Sequence, residues 1–183
     1  MEGAPNLVLA GFMGTGKSTV GNLLAARLQR PLVDTDALII QRAGMPISEI
    51  FAQYGEPYFR DIERQVCVEV ATTRDAVVAT GGGALLDHTT RAAFQAEGIV
   101  VLLTCERKAL VDRLEESARR GTRPLLGDDF ATQIDRLIAA RGPVYGSLPR
   151  QVDTTNLDPA EVAEQVLALY YEAVGQGAAA CKP

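Results

Sequence analysis

Asn6-Leu7-Val8-Leu9-Ala10-Gly11-Phe12-Met13-Gly14-Thr15-Gly16-Lys17-Ser18 decides the fold. Its last eight residues match G-x-x-x-x-G-K-[ST] in full, and they directly follow an apolar run. A buried strand feeding a glycine loop and then a helix, here expected over 17–29, is the structure that a phosphate cradle requires. Glycines let the backbone curl so that successive N–H groups face phosphate oxygens, and the helix N-terminus adds partial positive charge. Gly14, Thr15, Gly16, Lys17, Ser18 and Thr19 are the expected contacts to a nucleoside triphosphate. Lys17 reaches the β- and γ-phosphates in this reading, and Ser18 offers its hydroxyl to Mg²⁺. The competing reading, a glycine-rich turn with an incidental lysine, leaves the flanking strand and helix unexplained.

The rest of the chain continues the same architecture. Strand and helix patterns alternate, as in a parallel sheet covered on both faces. The expected strands are 6–11, 31–35, 76–80, 99–104 and 151–153. The middle ones are continuous apolar runs, Val77-Val78-Ala79 and Val100-Val101-Leu102-Leu103, as buried parallel strands should be. Helices are expected over 37–43, 47–54, 57–72, 107–118 and 132–141, the last stopped by Gly142-Pro143. A final helix has Asp158 as N-cap, Pro159 at its first position and Glu161 completing a capping box, running to about 174. The glycine- and alanine-rich tail, 175–183, is expected to fray. Between helical stretches, Arg119 to Asp129 shows neither a helical nor a strand period.

Composition limits the function classes. The chain has 183 residues, 47% hydrophobic and 22% charged, ordinary for one soluble domain. A net charge of −5 argues against broad nucleic-acid binding. No apolar run approaches a membrane span, and the N-terminus carries no basic-then-apolar leader pattern. Lysine occurs only at Lys17, Lys108 and Lys182; arginine, whose planar fork suits carboxylate and phosphate, supplies the remaining cations. Cys67, Cys105 and Cys181 are widely spaced and form no C-x-x-C pair, which suits a reducing compartment, so a cytoplasmic location is expected. His88, the single histidine, falls in the first turn of a helix begun by Asp87, where it reads as a surface residue rather than an acid–base group.

Two further stretches carry candidate chemistry. Asp34-Thr35-Asp36 ends the second strand, and the strand period puts both carboxylates on one side at the carboxyl edge. Two such acids repel unless a cation or donor lies between them, so one near Mg²⁺ is reasonable. The bland alternative is an exposed turn. Thr80-Gly81-Gly82-Gly83 ends the third strand, and three glycines in a row strip the side chains from a short stretch of backbone. A substrate packed on bare peptide explains all three; a tight turn explains one. Arg60, Arg64 and Arg141 sit in amphipathic helices, where spacing alone does not single any of them out.

Together these motifs resemble the shikimate kinase family of small P-loop kinases, from Asn6 to about Leu169. The loop Gly11–Gly21, Asp34-Thr35-Asp36, Phe59-Arg60 with Glu63, Gly81-Gly82-Gly83, Arg123-Pro124-Leu125-Leu126 and Arg141-Gly142-Pro143-Val144-Tyr145 stand in the family's order. The resemblance implies a three-layer α/β fold, with a five-stranded parallel sheet in the order 2-3-1-4-5. It implies a single domain with its core over about 6–174, a helical substrate-binding region at about 36–73 and a mobile lid at about 119–130. The implied reaction is transfer of the ATP γ-phosphoryl group to the 3-hydroxyl of shikimate, by a monomer, with Mg²⁺ held by Ser18 and, through water, Asp34. By position, Asp36 resembles the carboxylate that binds the shikimate hydroxyls and accepts a proton. Arg60 and Arg141 resemble the pair that grips its carboxylate, and Gly82 and Gly83 resemble the close backbone contact. Lys17 and Arg123 resemble the catalytic cations, Arg123 on the lid, and Arg113 resembles the group that stacks on adenine. The loop from Asp153 to Pro159 resembles the adenine loop. A related kinase for gluconate or a nucleoside monophosphate shares the phosphate loop and lid, so those two features do not separate it. A ligand-sensing module without catalysis is a third alternative; it predicts loss of the lysine, acid or lid arginine, and all are present.

Overall fold

The computed structural model describes residues 3–119 and 130–180. Five parallel strands form one sheet in the order β2-β3-β1-β4-β5. β1 (Asn6–Gly11) is central and every one of its residues is buried. Its alternation feeds two cores: Val8 and Ala10 face one cluster, Leu7 and Leu9 the other. β3 (Val77–Ala79) and β4 (Gly98–Thr104) divide in the same way, with Val78, Val100 and Leu102 on one face and Val77, Val101 and Leu103 on the other. Apolar residues on both faces leave no side to water, so helices must cover both. α1 (Lys17–Leu28) and α7 (Pro159–Ala180) cover one face through Val20, Leu24, Val162 and Val166. α2 (Thr35–Ala43), α3 (Ile47–Ala71) and α4 (His88–Glu97) cover the other through Ile39, Ile50, Val66 and Phe94. A third small cluster, Phe12, Leu110, Leu114 and Ile134, packs α5 (Arg107–Arg119) and α6 (Phe130–Gly146) beside the glycine loop.

Several boundaries differ from the sequence expectation, each for a local reason. β2 (Leu32–Asp34) stops before Thr35 because the Asp34 carboxylate caps α2, accepting the amides of Asp36 at 2.9 Å and Ala37 at 3.2 Å. The expected break at 55–56 narrows to one residue, Gly55, whose φ of 78° only glycine holds easily; Pro57 then enters the second helical run of α3. Gly142-Pro143 does not end α6. Proline forfeits one helical hydrogen bond, but Arg141 and Tyr145 on either side of it are both tied to the Gly82 carbonyl, which keeps the chain wound to Gly146. The start of α7 follows the expected capping box, with Glu161 Oε2 accepting the Asp158 amide and Asp158 Oδ1 accepting those of Ala160 and Glu161. Its backbone is helical to Ala180, beyond the end expected at about 174, in keeping with the helical preference of alanine. Arg119 and Phe130, expected at the borders of the lid, are ends of helices; 120–129, and with them Arg123, lie outside the described residues. β5 (Gln151–Asp153) falls where expected.

Candidate active site

The carboxyl ends of β1, β2 and β3 open onto a cleft of about 350 Å³. Its floor is the glycine loop. Gly14 and Gly16 have φ of 83° and 93°, values that side chains rarely tolerate, so the loop turns tightly enough to present backbone. Thr15 is buried and its hydroxyl donates to the Phe12 carbonyl at 2.8 Å, so its side chain braces the loop from inside. Lys17 Nζ donates to the carbonyls of Gly11 at 2.8 Å and Phe12 at 2.9 Å, arching over the loop it belongs to. Ser18 and Thr19, exposed on the first turn of α1, complete the floor, at the positive end of that helix.

Asp34 and Asp36 both line this cleft, though not by a strand period. Because Thr35 begins α2, Asp34 lies in the cap and Asp36 in the first helical turn. Thr35 between them is wholly buried, and its hydroxyl accepts the Gly81 amide at 3.0 Å. The middle residue of the acidic triplet therefore fixes the start of the glycine turn.

Asp36, Arg60, Gly82, Gly83 and Arg141 line a second cavity of about 610 Å³. It shares Met13, Asp36 and Gly82 with the first, so the two are lobes of one crevice. The three glycines leave little room for side chains. A Cβ on Gly81 would stand 2.6 Å from Asp36 Oδ1 and 2.9 Å from Glu63 Oε1. On Gly83 it would stand 2.9 Å from Arg60 Nη1, and on Gly82 it would press on Arg141 and the Met13 amide. Arg141 is 7% exposed, stacks over the Phe12 ring at 4.6 Å, and donates from Nη1 to the Gly82 carbonyl at 2.7 Å. Its Nε is buried with no hydrogen-bond partner. Burial lowers the pKa of Arg141, and the like charge of Arg60 pushes the same way. Arg60 bonds Glu63 at 2.7 Å and Glu56 at 3.0 Å; burial works against its charge, but these acids carry its pKa above the ordinary value. Glu63 is itself buried, and burial, with the charge of Asp36, lifts its pKa in spite of Arg60.

Sequence reasoning missed Glu63 and Tyr145 as members of this wall. Glu63 lies three residues after Arg60 on α3, the spacing at which helical side chains meet. Tyr145 lies four after Arg141, and its hydroxyl donates to the Gly82 carbonyl. Both stand inside motifs already singled out, so helical spacing was the available signal.

A third recess, about 310 Å³, runs from the glycine loop to Thr154, Leu157 and Pro159. Arg113 lines both this recess and the first cleft. Its guanidinium donates to Thr154 Oγ1 at 2.9 Å and the Thr155 carbonyl at 3.3 Å, which ties α5 to the loop after β5.

A 2-3-1-4-5 parallel sheet whose first strand ends in a lysine-bearing glycine loop, beside a second lobe walled by arginines, defines a P-loop phosphotransferase for a small acceptor. The family model for shikimate kinase matches residues 13–170. A shikimate kinase from Geobacter metallireducens is 40% identical over 162 residues, 88% of this chain and 89% of that protein. One from Nitrobacter winogradskyi is 46% identical over 151 residues, 82% and 67% of the two chains. Among solved structures, shikimate kinase from Acinetobacter baumannii in complex with shikimate superposes with a TM-score of 0.83 at 33% identity, covering 93% of this chain and 94% of that one. The chain belongs to the shikimate kinase family.

Proposed function

We propose that this protein transfers the γ-phosphoryl group of ATP to the 3-hydroxyl of shikimate, giving ADP and shikimate 3-phosphate. One observation carries the proposal: Asp36, Arg60 and Arg141, from three separate helices, share a cavity that meets the lysine loop at Gly82. Two arginines, one of them almost wholly buried, favour an anionic acceptor. A carboxylate would give Arg141 the counter-charge that burial and Arg60 make it need. It would also have to reach Arg60 past Glu63, which places it at the arginine end and its hydroxyls toward Asp36.

Phosphoryl transfer passes through a loose, charge-spread transition state, so the protein mainly positions and neutralises. Lys17 exchanges two neutral carbonyl partners for phosphate oxygens, and charge-assisted bonds of that kind are about twice as strong. Asp36, at the junction of the lobes, orients the acceptor hydroxyl and receives its proton. Ser18 and Asp34, two oxygen donors that line the donor lobe, suit Mg²⁺, which takes few protein ligands and fills its shell with phosphate oxygens and water. Bound there, the ion would neutralise phosphate charge. Arg113 and the recess at Thr154 and Leu157 would take the base, and Arg123, the lid arginine by family position, would add the last cation and help to exclude water. The same reading has the protein working as a cytoplasmic monomer without nucleic acid or membrane; among the described residues no helix is long and apolar enough to cross a membrane.

A coupled assay of ADP release, with shikimate, gluconate and CMP offered separately, tests the proposal. Turnover with shikimate alone is expected. Turnover with gluconate or CMP in its place would move the assignment to the related kinases, and turnover with none would leave a sensing module.

A further inference from the structure

The acceptor lobe is walled in part by a turn with no side chains. Glycine has more backbone freedom than any other residue, and local bonds hold only the ends of Gly81-Gly82-Gly83: the Gly81 and Gly83 carbonyls accept the amides of Ala84 at 3.2 Å and Leu86 at 3.0 Å, which leaves the Gly82 carbonyl to other partners. Those come from outside the turn. Thr35 accepts the Gly81 amide, and two donors from α6 converge on the Gly82 carbonyl: Arg141 Nη1 at 2.7 Å and the Tyr145 hydroxyl. These two donors do not have equal duties. In the proposed reaction Arg141 must also meet the acceptor's carboxylate, so its hold on Gly82 competes with its work on the ligand. Tyr145 instead lies against the Arg141 guanidinium itself, which it favours in the charged form. Its ring packs against the core beneath the glycine turn, and burial raises its phenol pKa, so the hydroxyl stays a donor through the neutral range.

We infer that Tyr145 is a positioning residue of the acceptor lobe: by fixing the Gly82 carbonyl from α6, its hydroxyl keeps the glycine turn and the Arg141 guanidinium in register for an anionic acceptor. The inference rests on the acceptor reading given above. Gly82 lines both lobes and lies against the Met13 amide of the phosphate loop, so a turn that drifts would also blur the border between donor and acceptor. The R-x-P-x-Y spacing has the same logic. Residues four apart on a helix share a face, and here that face delivers one guanidinium and one hydroxyl to a single oxygen.

The experiment compares wild type, Tyr145→Phe, Arg141→Ala and the double variant, with both substrates varied. Wild-type turnover of shikimate is measured first; its failure would overturn the functional reading before any variant is considered. Given that turnover, Tyr145→Phe, which keeps the packed ring, should raise the KM for shikimate by about 3- to 10-fold, the worth of one neutral hydrogen bond. Its kcat and its KM for ATP should stay within about twofold. In the Arg141→Ala background the same change should alter the shikimate KM by less than about twofold, because a residue acting through Arg141 couples to it in a double-mutant cycle. An unchanged KM in Tyr145→Phe, equal rises in both KM values with a lowered Tm, or effects that multiply independently would each overturn the inference. Isothermal titration with shikimate gives the same comparison without turnover.

Discussion

The donor lobe and the acceptor lobe of the crevice bind anions by opposite means. The donor lobe is built around neighbours in the chain, Met13 to Thr19, with Asp34, Asp36 and Arg113 at its edges, and it works chiefly through backbone amides, a helix end and one lysine. The acceptor lobe is made of side chains from three helices and a bare turn, and it buries charge: Arg141, Glu63 and half of Arg60. Backbone dipoles need no counter-ion, so the first lobe is stable as soon as its loop is folded. Buried charges need partners, so the second lobe holds together only as a network, and every change in it is felt by neighbours. A phosphate loop can thus serve many enzymes unaltered, whereas the acceptor wall must be specific to its ligand.

The comparison predicts that charge removed from the donor side acts on kcat and charge removed from the acceptor side acts on KM. The largest effect should come from Arg123→Ala. Arginine contacts of this kind are worth about 10³–10⁵ in rate, or roughly 4–7 kcal/mol of barrier. Steady-state kinetics should show that loss in kcat with little change in either KM; a kcat within about threefold of wild type would end the catalytic role. Next comes Arg141→Ala. A charge-assisted hydrogen bond is worth about 1.5–3 kcal/mol, so the KM for shikimate should rise by roughly 10- to 150-fold. Arg60→Ala should fall toward the lower end of that range, since Arg60 is half-exposed. If either arginine variant lost kcat and kept its KM, the division of labour between the lobes would be wrong.

The two lobes also differed in how far the sequence disclosed them. The donor lobe was legible because its chemistry depends on neighbours in the chain, and a strand, a glycine loop and a helix are local structures. The covering of both faces followed from the alternating pattern and apolar runs; the strand order followed from the family resemblance alone. Asp34 and Asp36 were found as a pair, but by the wrong period: the Asp34 cap starts α2 at Thr35, and a cap is a hydrogen bond, which hydrophobic pattern does not record. The acceptor lobe was hardly legible from physics alone. Arg60 and Arg141 look like surface arginines on their own helices, and only tertiary packing, which brings them to Gly83 and Gly82, separates them from Arg64. For the same reason Pro143 was read as a stop: the contacts that keep α6 wound beyond it lie across the molecule.

Smaller, and aimed at the seam between the lobes, is the effect of Gly81→Ala. The new methyl would meet the ends of Asp36 and Glu63 below any normal contact distance, and both are side chains that can yield. The fold should survive, with Tm lowered by only a few degrees, while Asp36 is pushed off the line between donor and acceptor. Misplacement by about 1 Å can cost up to about 100-fold, so kcat/KM for shikimate should drop by about tenfold or more. The KM for ATP should hardly move. A drop confined to ATP would place Gly81 on the donor side and erase the boundary drawn here.

The smallest effect tests whether the acceptor lobe gives up stability for its charges. Burial raises the Glu63 pKa above 4.5, with Asp36 adding to it and Arg60 opposing. A carboxyl group whose folded pKa is raised favours the folded state while protonated. That contribution is complete below its unfolded pKa and is lost as pH climbs through the folded value. Glu63→Gln removes this titration and keeps the shape. Its Tm minus that of wild type should therefore become more positive from about pH 4 to pH 8, by a few degrees at most for a chain of this size. Over the same range the variant should bind shikimate more weakly, because Arg60 loses its buried partner and retains only Glu56. A Tm difference that is flat or falls with pH would mean that the Arg60 pairing outweighs the burial of Glu63, and the acceptor network would then be a source of stability.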